Sequence, residues 1–418
     1  MRTRFIHSVL QLRKRLWAKP ALYCFLAVVA SLLAQAADYW SAGRLLPEIT
    51  PDTIQTLLTI ISSSMLAVAT FAVGSMLASY SSASASATPR AFALVLADDV
   101  SQTALSSFIG AFIFSIVSIV ALKTGLYGRG GLFVLFVLTL AIFAWVILTF
   151  VRWVDNIARL GRLGTTIDKA EAAARTTLRE RRMMPFLGGV EKTQRTELRG
   201  VRVFCDDIGY VQYVDMKALQ AIAEDHELRI MVDAMPGSFL APGRPVVILD
   251  TDEDPDEKIA RRIANAFVIG ENRTFDEDPR FGLIVLSEIA ARALSPAVND
   301  PGTAIVIIGR FVRLFSAWAR PVGEEEKTEE IYDRVIVPTL ELAEMFDDAF
   351  TAIARDGAGT VEVGIRLQKA FLSLSTLDFP GFPAQARRHS ALALDRARDR
   401  LPLQDDVTRL ERIARLLA

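Results

Sequence analysis

The chain has 418 residues, a formal net charge of −1, 51% hydrophobic residues and a mean hydropathy of +0.31. That hydropathy is high for a chain that lives wholly in water, and the balanced charge offers no basic surplus, so no nucleic-acid partner is expected. Two cysteines, Cys24 and Cys205, exclude a disulfide framework and a Cys-based metal centre, and His7, His226 and His389 are too dispersed to suggest a ligand set.

Four stretches lack charge: 20–37, 53–89, 100–122 and 130–151. A hydrocarbon core about 30 Å thick takes roughly 20 helical residues. The pattern therefore predicts a transmembrane domain over 1–153, with four helices at about 20–38, 54–80, 103–123 and 130–152. The first is the shortest and is completed at the interfaces by Trp17 and Tyr39 or Trp40. It is followed by further spans without a small-residue cleavage site, so it is not read as a signal peptide. The leader carries Arg2, Arg4, Arg13, Lys14, Arg15 and Lys19, the loop after the first span has Arg44 alone, and the tail beyond Arg152 is rich in arginine. Basic residues gather on the cytoplasmic side. Both termini are expected in the cytoplasm, with the 123–129 turn outside.

The second stretch, 37 residues long, would make a helix of about 55 Å. It is expected to leave the bilayer near Tyr80 and to continue as a Ser/Ala helix or extended segment toward Pro89. Small residues recur along it at helical spacing: Ser63, Ala67, Thr70, Gly74, Ala78, Ser81 and Ala85. Such a stripe lets helices approach closely in lipid. It reads either as a seam between helices of one subunit or as a face that copies of the chain turn toward a water-filled pore. No Asp, Glu, Lys or Arg lies inside any of the four uncharged stretches that form the spans, which argues against an ion-coupled transporter and leaves a passive pore open.

Residues 154–199 read as a basic connector: an Arg-rich amphipathic helix continuing from the fourth span, suited to anionic lipid or to plain solvation, then the break "MMPFLGG". Over 200–252, short β-rich runs separated by Gly and Pro predict a small β module. Its run "MPGSFLAPGRPVVILD" resembles the barrel-sandwich hybrid of biotinyl and lipoyl carriers. Glu253 stands where that family needs its lysine, so the resemblance implies the fold and not a swinging arm.

Residues 253–418 read as a helical cytoplasmic domain. Asp254-Pro255, Asp278-Pro279 and Asp300-Pro301 each combine a capping carboxylate with a proline at the first helical position, giving helices that run to about Leu294 and Arg320 in the last two cases. Capping leaves Arg273, Arg292, Ser295 and Asn299 unexplained. With Asp278 and Asp300 they form a candidate corner for a small anionic ligand, since a helix start flanked by Arg attracts anions. "EEIYDRVIVPTLELAEMFDDAFTAIARDG" reads as an amphipathic helix kinked at Pro338, and Val407, Leu410, Ile413 and Leu417 make a one-sided face for a partner helix, self-association or the fold itself.

Three runs carry a family resemblance: residues 66–115 with the ending Thr88-Pro89-Arg90, "DIGYVQYVDMKAL" at 207–219, and "NRTFDEDPRFGLIVLSEIAARALSPAVNDPGTAI". Together they resemble the bacterial membrane family called domain of unknown function 2254. The family tends to have histidines after the fourth span where this chain has "FVRWVDNIARL". The resemblance implies a bacterial inner-membrane protein and no particular activity.

The sequence thus predicts an α-helical integral membrane protein with four transmembrane helices and a mainly α cytoplasmic domain holding a small β barrel-sandwich-like module. Nucleotide-loop, zincin, nucleophile-elbow, C-x-x-C and dinucleotide motifs are missing, so no enzyme, catalytic residue, metal or cofactor is expected. The leading expectation is a homo-oligomeric channel or pore-like protein, partnered by the lipid bilayer and by an ion or small anionic ligand. A non-conducting membrane-anchored sensor or scaffold comes second, and an unrecognised envelope-lipid enzyme third.

Overall fold

The computed structural model describes residues 18–36, 47, 49–86, 88–96, 99–159, 162–193, 200–323 and 332–417. The leader cations before Ala18, His7, Trp17, Tyr39, Trp40 and Arg44 lie outside the described residues. The chain divides after Thr166 into two compact units.

The first unit is helical: α1 (Ala18–Ala36), α2 (Pro51–Ser86), α3 (Pro89–Leu96), α4 (Asp99–Lys123) and α5 (Arg129–Ile157). α4 runs through its middle, packed against α1, α2 and α5. Gly110 makes the α1 crossing possible, because a Cβ there would come within 3.1 Å of Tyr23 Cβ. One apolar cluster joins Ile61, Met65, Ala69 and Ala72 of α2 to Phe108 of α4 and Trp153 of α5. A second joins Ala34, Ile54, Leu58, Phe114 and Leu135. Two buried serines are satisfied within α4: Ser106 and Ser115 hydroxyls donate to carbonyls one turn back, at 2.6 and 2.8 Å. Ser118 Oγ donates to Ser31 Oγ at 3.2 Å, and Ser31 Oγ lies 2.8 Å from Tyr127 Oη. Without water, this satisfaction is what lets such residues sit in a bundle.

α2 stays helical to Ser86, 36 residues or about 54 Å. α5 does not run on into the basic connector. It stops at Ile157, and a new helix, α6 (Leu163–Met183), begins after a short break.

The second unit combines two sheets with helices. Strands β1 (Gly189–Glu191), β2 (Val201–Val203), β3 (Gly209–Val214), β4 (Ile230–Val232), β5 (Phe239–Leu240), β6 (Val247–Leu249), β7 (Phe267–Gly270) and β8 (Tyr332–Val337) form a five-stranded sheet, β1-β8-β4-β6-β2, and a three-stranded sheet, β5-β3-β7. β8 is parallel to both β1 and β4, and the remaining pairs are antiparallel. The expected barrel-sandwich module over 200–252 is not confirmed. Three of the eight strands come from outside that window, and β8 in particular sits where a helix kinked at Pro338 was expected. Its run Val335, Ile336, Val337 is fully buried between two neighbours, the pattern of an interior parallel strand.

Helices α7 (Met216–Asp225), α8 (Glu257–Ala264), α9 (Phe281–Ala293), α10 (Pro301–Ala319), α11 (Leu342–Asp356), α12 (Val361–Ser375), α13 (Phe382–Arg400) and α14 (Gln404–Ala414) complete the unit. Asp215 caps α7 by accepting from Ala218 N at 3.0 Å. α8 starts two residues later than the Asp254-Pro255 pair suggested, with Asp256 at its cap position. Phe311, Phe315, Phe346, Phe350, Phe371 and Phe382 pack edge-to-face and stacked around a common centre shared by α10 to α13. Val407, Leu410 and Leu417 are buried within the unit, so the terminal face serves the fold.

Among the described residues, five helices are long and apolar enough to cross a membrane, α1, α2, α4, α5 and α10, so the expected count of four is not confirmed. The fifth differs in kind. α10 carries Arg310 and Arg313, both ion-paired to Glu171 of α6.

Candidate functional site

Two features gather the residues singled out by the sequence, one in each unit. In α2 the buried face reads Ile54, Leu58, Ile61, Met65, Ala69, Ala72, Met76 and Tyr80. Ser63, Ala67, Thr70, Gly74, Ala78 and Ser81 are all exposed. At roughly 100° per residue, the two rows lie on opposite sides of the helix. Among the described residues of the first unit, no helix covers the stripe. A Cβ on Gly74 would meet nothing within 4 Å. Ser63 and Thr70 donate to the backbone one turn back, at 3.0 and 2.9 Å, which meets their donor need. The side chain of Ala85 lies outside the described residues.

In the second unit the loop preceding α9, "NRTFDEDPR", is folded around ion pairs. Arg273 Nε donates to Asp278 Oδ2 at 2.6 Å, while Asp278 Oδ1 accepts from Arg280 N and Phe281 N at 3.1 and 3.2 Å. Asp278 thus occupies the place at the start of α9 that an outside anion would take. The pair leaves no room for a side chain opposite it. Gly237, with φ +92°, approaches so closely that a Cβ would strike both Asp278 and Arg273. Arg280 continues the network with a bidentate pair to Asp348, at 2.6 and 3.2 Å, and a bond to Glu344.

The expected six-residue corner does not converge. Arg273 and Asp278 lie before α9, whereas Arg292, Ser295, Asn299 and Asp300 lie at its far end, about 20 Å away along 13 residues. There Ser295 Oγ donates to Arg292 O at 2.7 Å, and Asn299 adopts the left-handed region at φ 50°. Asp300 caps α10, accepting from Thr303 N at 3.1 Å and Thr303 Oγ1 at 2.6 Å, bonds that hold its carboxyl below the usual range.

Sequence reasoning missed the partners that α6 brings to this loop. Thr177 Oγ1 donates to Phe275 O at 2.7 Å, and Arg181 Nη2 to Glu277 O at 3.5 Å. Burial pushes the Arg181 guanidinium down to about 10 against the pull of Glu277 and Asp278. Burial also pushes the Glu277 carboxyl up to about 7, opposed by Arg181 and reinforced by Asp276 and Glu180. Thr177, Glu180, Arg181, Asp276 and Glu277 border a cavity of about 280 Å³. Glu171 forms a second hub, accepting from Arg175, Arg310 and Arg313 at 2.6 to 3.0 Å. Burial raises its carboxyl, but bonds from Arg313 and Arg175 and the charges of Arg310 and Arg313 outweigh this, leaving it below the ordinary value.

A family model described as predicted membrane protein (DUF2254) matches residues 13–373. Curated relatives include an uncharacterised protein of Mycobacterium bovis and one of Mycobacterium tuberculosis. Each is 32% identical over 104 residues, 24% of this chain and 20% of the relative. The match thus spans about a fifth of the length of those relatives. No solved structure matches the chain.

Proposed function

The chain belongs to the DUF2254 family of predicted membrane proteins, and on that premise we propose that it is a homo-oligomeric, pore-like protein of the bacterial inner membrane. One observation carries the reading: among the described residues of its own unit, no helix covers the small-residue stripe of α2, which is exposed from Ser63 to Ser81. A slim face of this kind suits close approach by a second copy in lipid.

In this reading α1, α2, α4 and α5 cross the bilayer and α10 does not. Arg310 and Arg313 would be costly in hydrocarbon, whereas beside Glu171 they are compensated. An even number of crossings puts both termini on one side, and the arginines and lysines of the leader and of the chain after Arg152 favour the cytoplasm as that side. The second unit then serves as a cytoplasmic domain for assembly or gating.

Reconstitution into planar bilayers tests the proposal. Discrete conductance under voltage or membrane tension is expected, altered by Gly74→Leu or Ala78→Leu. Silent membranes with protein demonstrably incorporated would overturn it, as would a monomeric mass in both mild detergent and nanodiscs.

A further inference from the structure

The second unit contains a cavity of about 370 Å³ between the C-terminal half of α6 and the end of α10. Its apolar lining includes Leu178, Met183, Leu314, Trp318 and Val322, and its charged lining consists of Arg175, Arg179, Arg182 and Arg320. Among the described residues, no acidic side chain borders it. This is an unusual surplus in a chain whose net charge is −1.

The four arginines are not equivalent. Arg175 is compensated by Glu171 at 2.9 Å, although that carboxylate also serves Arg310 and Arg313. Arg182 is positioned without being neutralised. Its Nε donates to Trp318 O at 3.1 Å, and its guanidinium lies over the rings of Phe379 and Trp318, at 4.9 and 5.8 Å. Among the described residues, no carboxylate pairs with Arg182, and Arg179 and Arg320 have no side-chain partner. Three guanidinium groups with no carboxylate partner among the described residues therefore share the lining of one concave, largely apolar space.

Like charges gathered at one place repel, and an anion relieves that repulsion. Guanidinium forks match the oxygens of a phosphate, which can take paired N–H bonds from each. The volume suits a small molecule or a headgroup, near the lower end of the roughly 300–1,000 Å³ found for ligand pockets. The apolar lining calls for a ligand that is more than a bare anion.

We infer that this cavity binds a phosphate-bearing amphiphile, its anionic group held by Arg179, Arg182 and Arg320 and its apolar part resting on Leu178, Leu314 and Trp318. The ligand's source is either a phospholipid headgroup with its first methylenes or a soluble organic phosphate. The site is separate from the α9 corner and independent of any conduction, so it stands whether or not the chain forms a pore.

Native mass spectrometry of the full chain in neutral detergent tests this, with dihexanoyl phosphatidylglycerol, dihexanoyl phosphatidylcholine and glycerol 3-phosphate as probes. The anionic lipid is expected to bind at least tenfold more tightly than the zwitterionic one. The double variant Arg179→Gln/Arg320→Gln should bind it at least tenfold more weakly, and Arg179→Lys/Arg320→Lys should recover part of the loss. Neither side chain has a partner among the described residues, so an unchanged melting temperature is expected for either variant. Glycerol 3-phosphate binding as tightly as the anionic lipid, with the same dependence on the arginines, assigns the soluble source. Weak binding by glycerol 3-phosphate assigns the lipid. Equal binding of the two lipids, no binding of any probe, or undiminished binding by the glutamine variant would overturn the inference.

Discussion

Arg273 and Asp278, five residues apart, meet at 2.6 Å with only 18% and 4% of their side chains exposed. The loop before α9 therefore carries its own counterion, and the same carboxylate bonds the first amides of the helix. Removing one member of a buried pair strands the other. Asp278→Ala is expected to cost roughly 3–5 kcal/mol for the abandoned arginine and about 1 kcal/mol more for the lost cap. The double variant Arg273→Met/Asp278→Leu should recover much of the first loss. Denaturant unfolding in detergent measures both, and a near-neutral Asp278→Ala would show the pair to be solvated.

Glu171 holds three arginines with a side chain only 5% exposed. Glu171→Gln keeps the shape and removes the charge, leaving Arg310 and Arg313 without their shared partner. A loss of roughly 3 kcal/mol is expected. Because the carboxyl sits below its ordinary value, its contribution is present above that value and fades as pH falls through the folded one. The variant should lack that fading, and comparing wild type with variant down to acid pH checks it.

His389 and Glu277 bias stability in opposite directions. Burial pushes His389 down to about 4, opposed by Asp347 and assisted by Arg388 and Arg396. Between pH 4 and its ordinary 6.5 the unfolded chain takes a proton that the folded one refuses, so stability rises with pH across that window. Glu277, raised from 4.5 to about 7, does the reverse. The folded chain holds a proton that the unfolded one has released, and stability falls as pH rises between those values. For the buried His389 the effect is on the order of 3 kcal/mol. His389→Leu should gain relative stability toward pH 4, and Glu277→Gln should gain it toward pH 7. Thermal melts across pH 4–7.5 read the two differences, and parallel curves would contradict both assignments.

Two glycines on adjacent helices should answer differently to the same change. Gly110→Leu forces α4 away from Tyr23 and is expected to lower the melting temperature of the single chain. Gly74→Leu meets open space within the chain, so its melting temperature should hold while the mass of the assembly in detergent changes. A Gly74→Leu protein unaltered in mass and conductance would leave the outward stripe without a partner.

What could be read from the sequence was local. The capping role of Asp300 follows from Asp-Pro beside a periodic run, and the structure bonds it to Thr303 three residues on. The four long apolar helices of the first unit followed from length and missing charge. The apolar length of α10 was masked by its two arginines, whose partner Glu171 lies 139 and 142 residues earlier. Arg181 and Glu277 are 96 residues apart, and no spacing rule joins them. β8 was misread because Val335-Ile336-Val337, followed by Pro338, fits a buried strand as well as a helix segment. Its pairing with Ile230 and Gly189 decides the matter, and it comes from across the chain.

The position of β8 also governs how the second unit comes into being during translation. β1 and β4 leave the ribosome long before Tyr332–Val337 and have no strand between them until it arrives. The nascent chain must carry an unpaired β1 and the open, apolar border of β4 through about a hundred residues of synthesis, the condition under which strands join the wrong neighbours. A chain halted before residue 332 should consequently cling to chaperones or precipitate, and a late-supplied peptide bearing that strand could complete it.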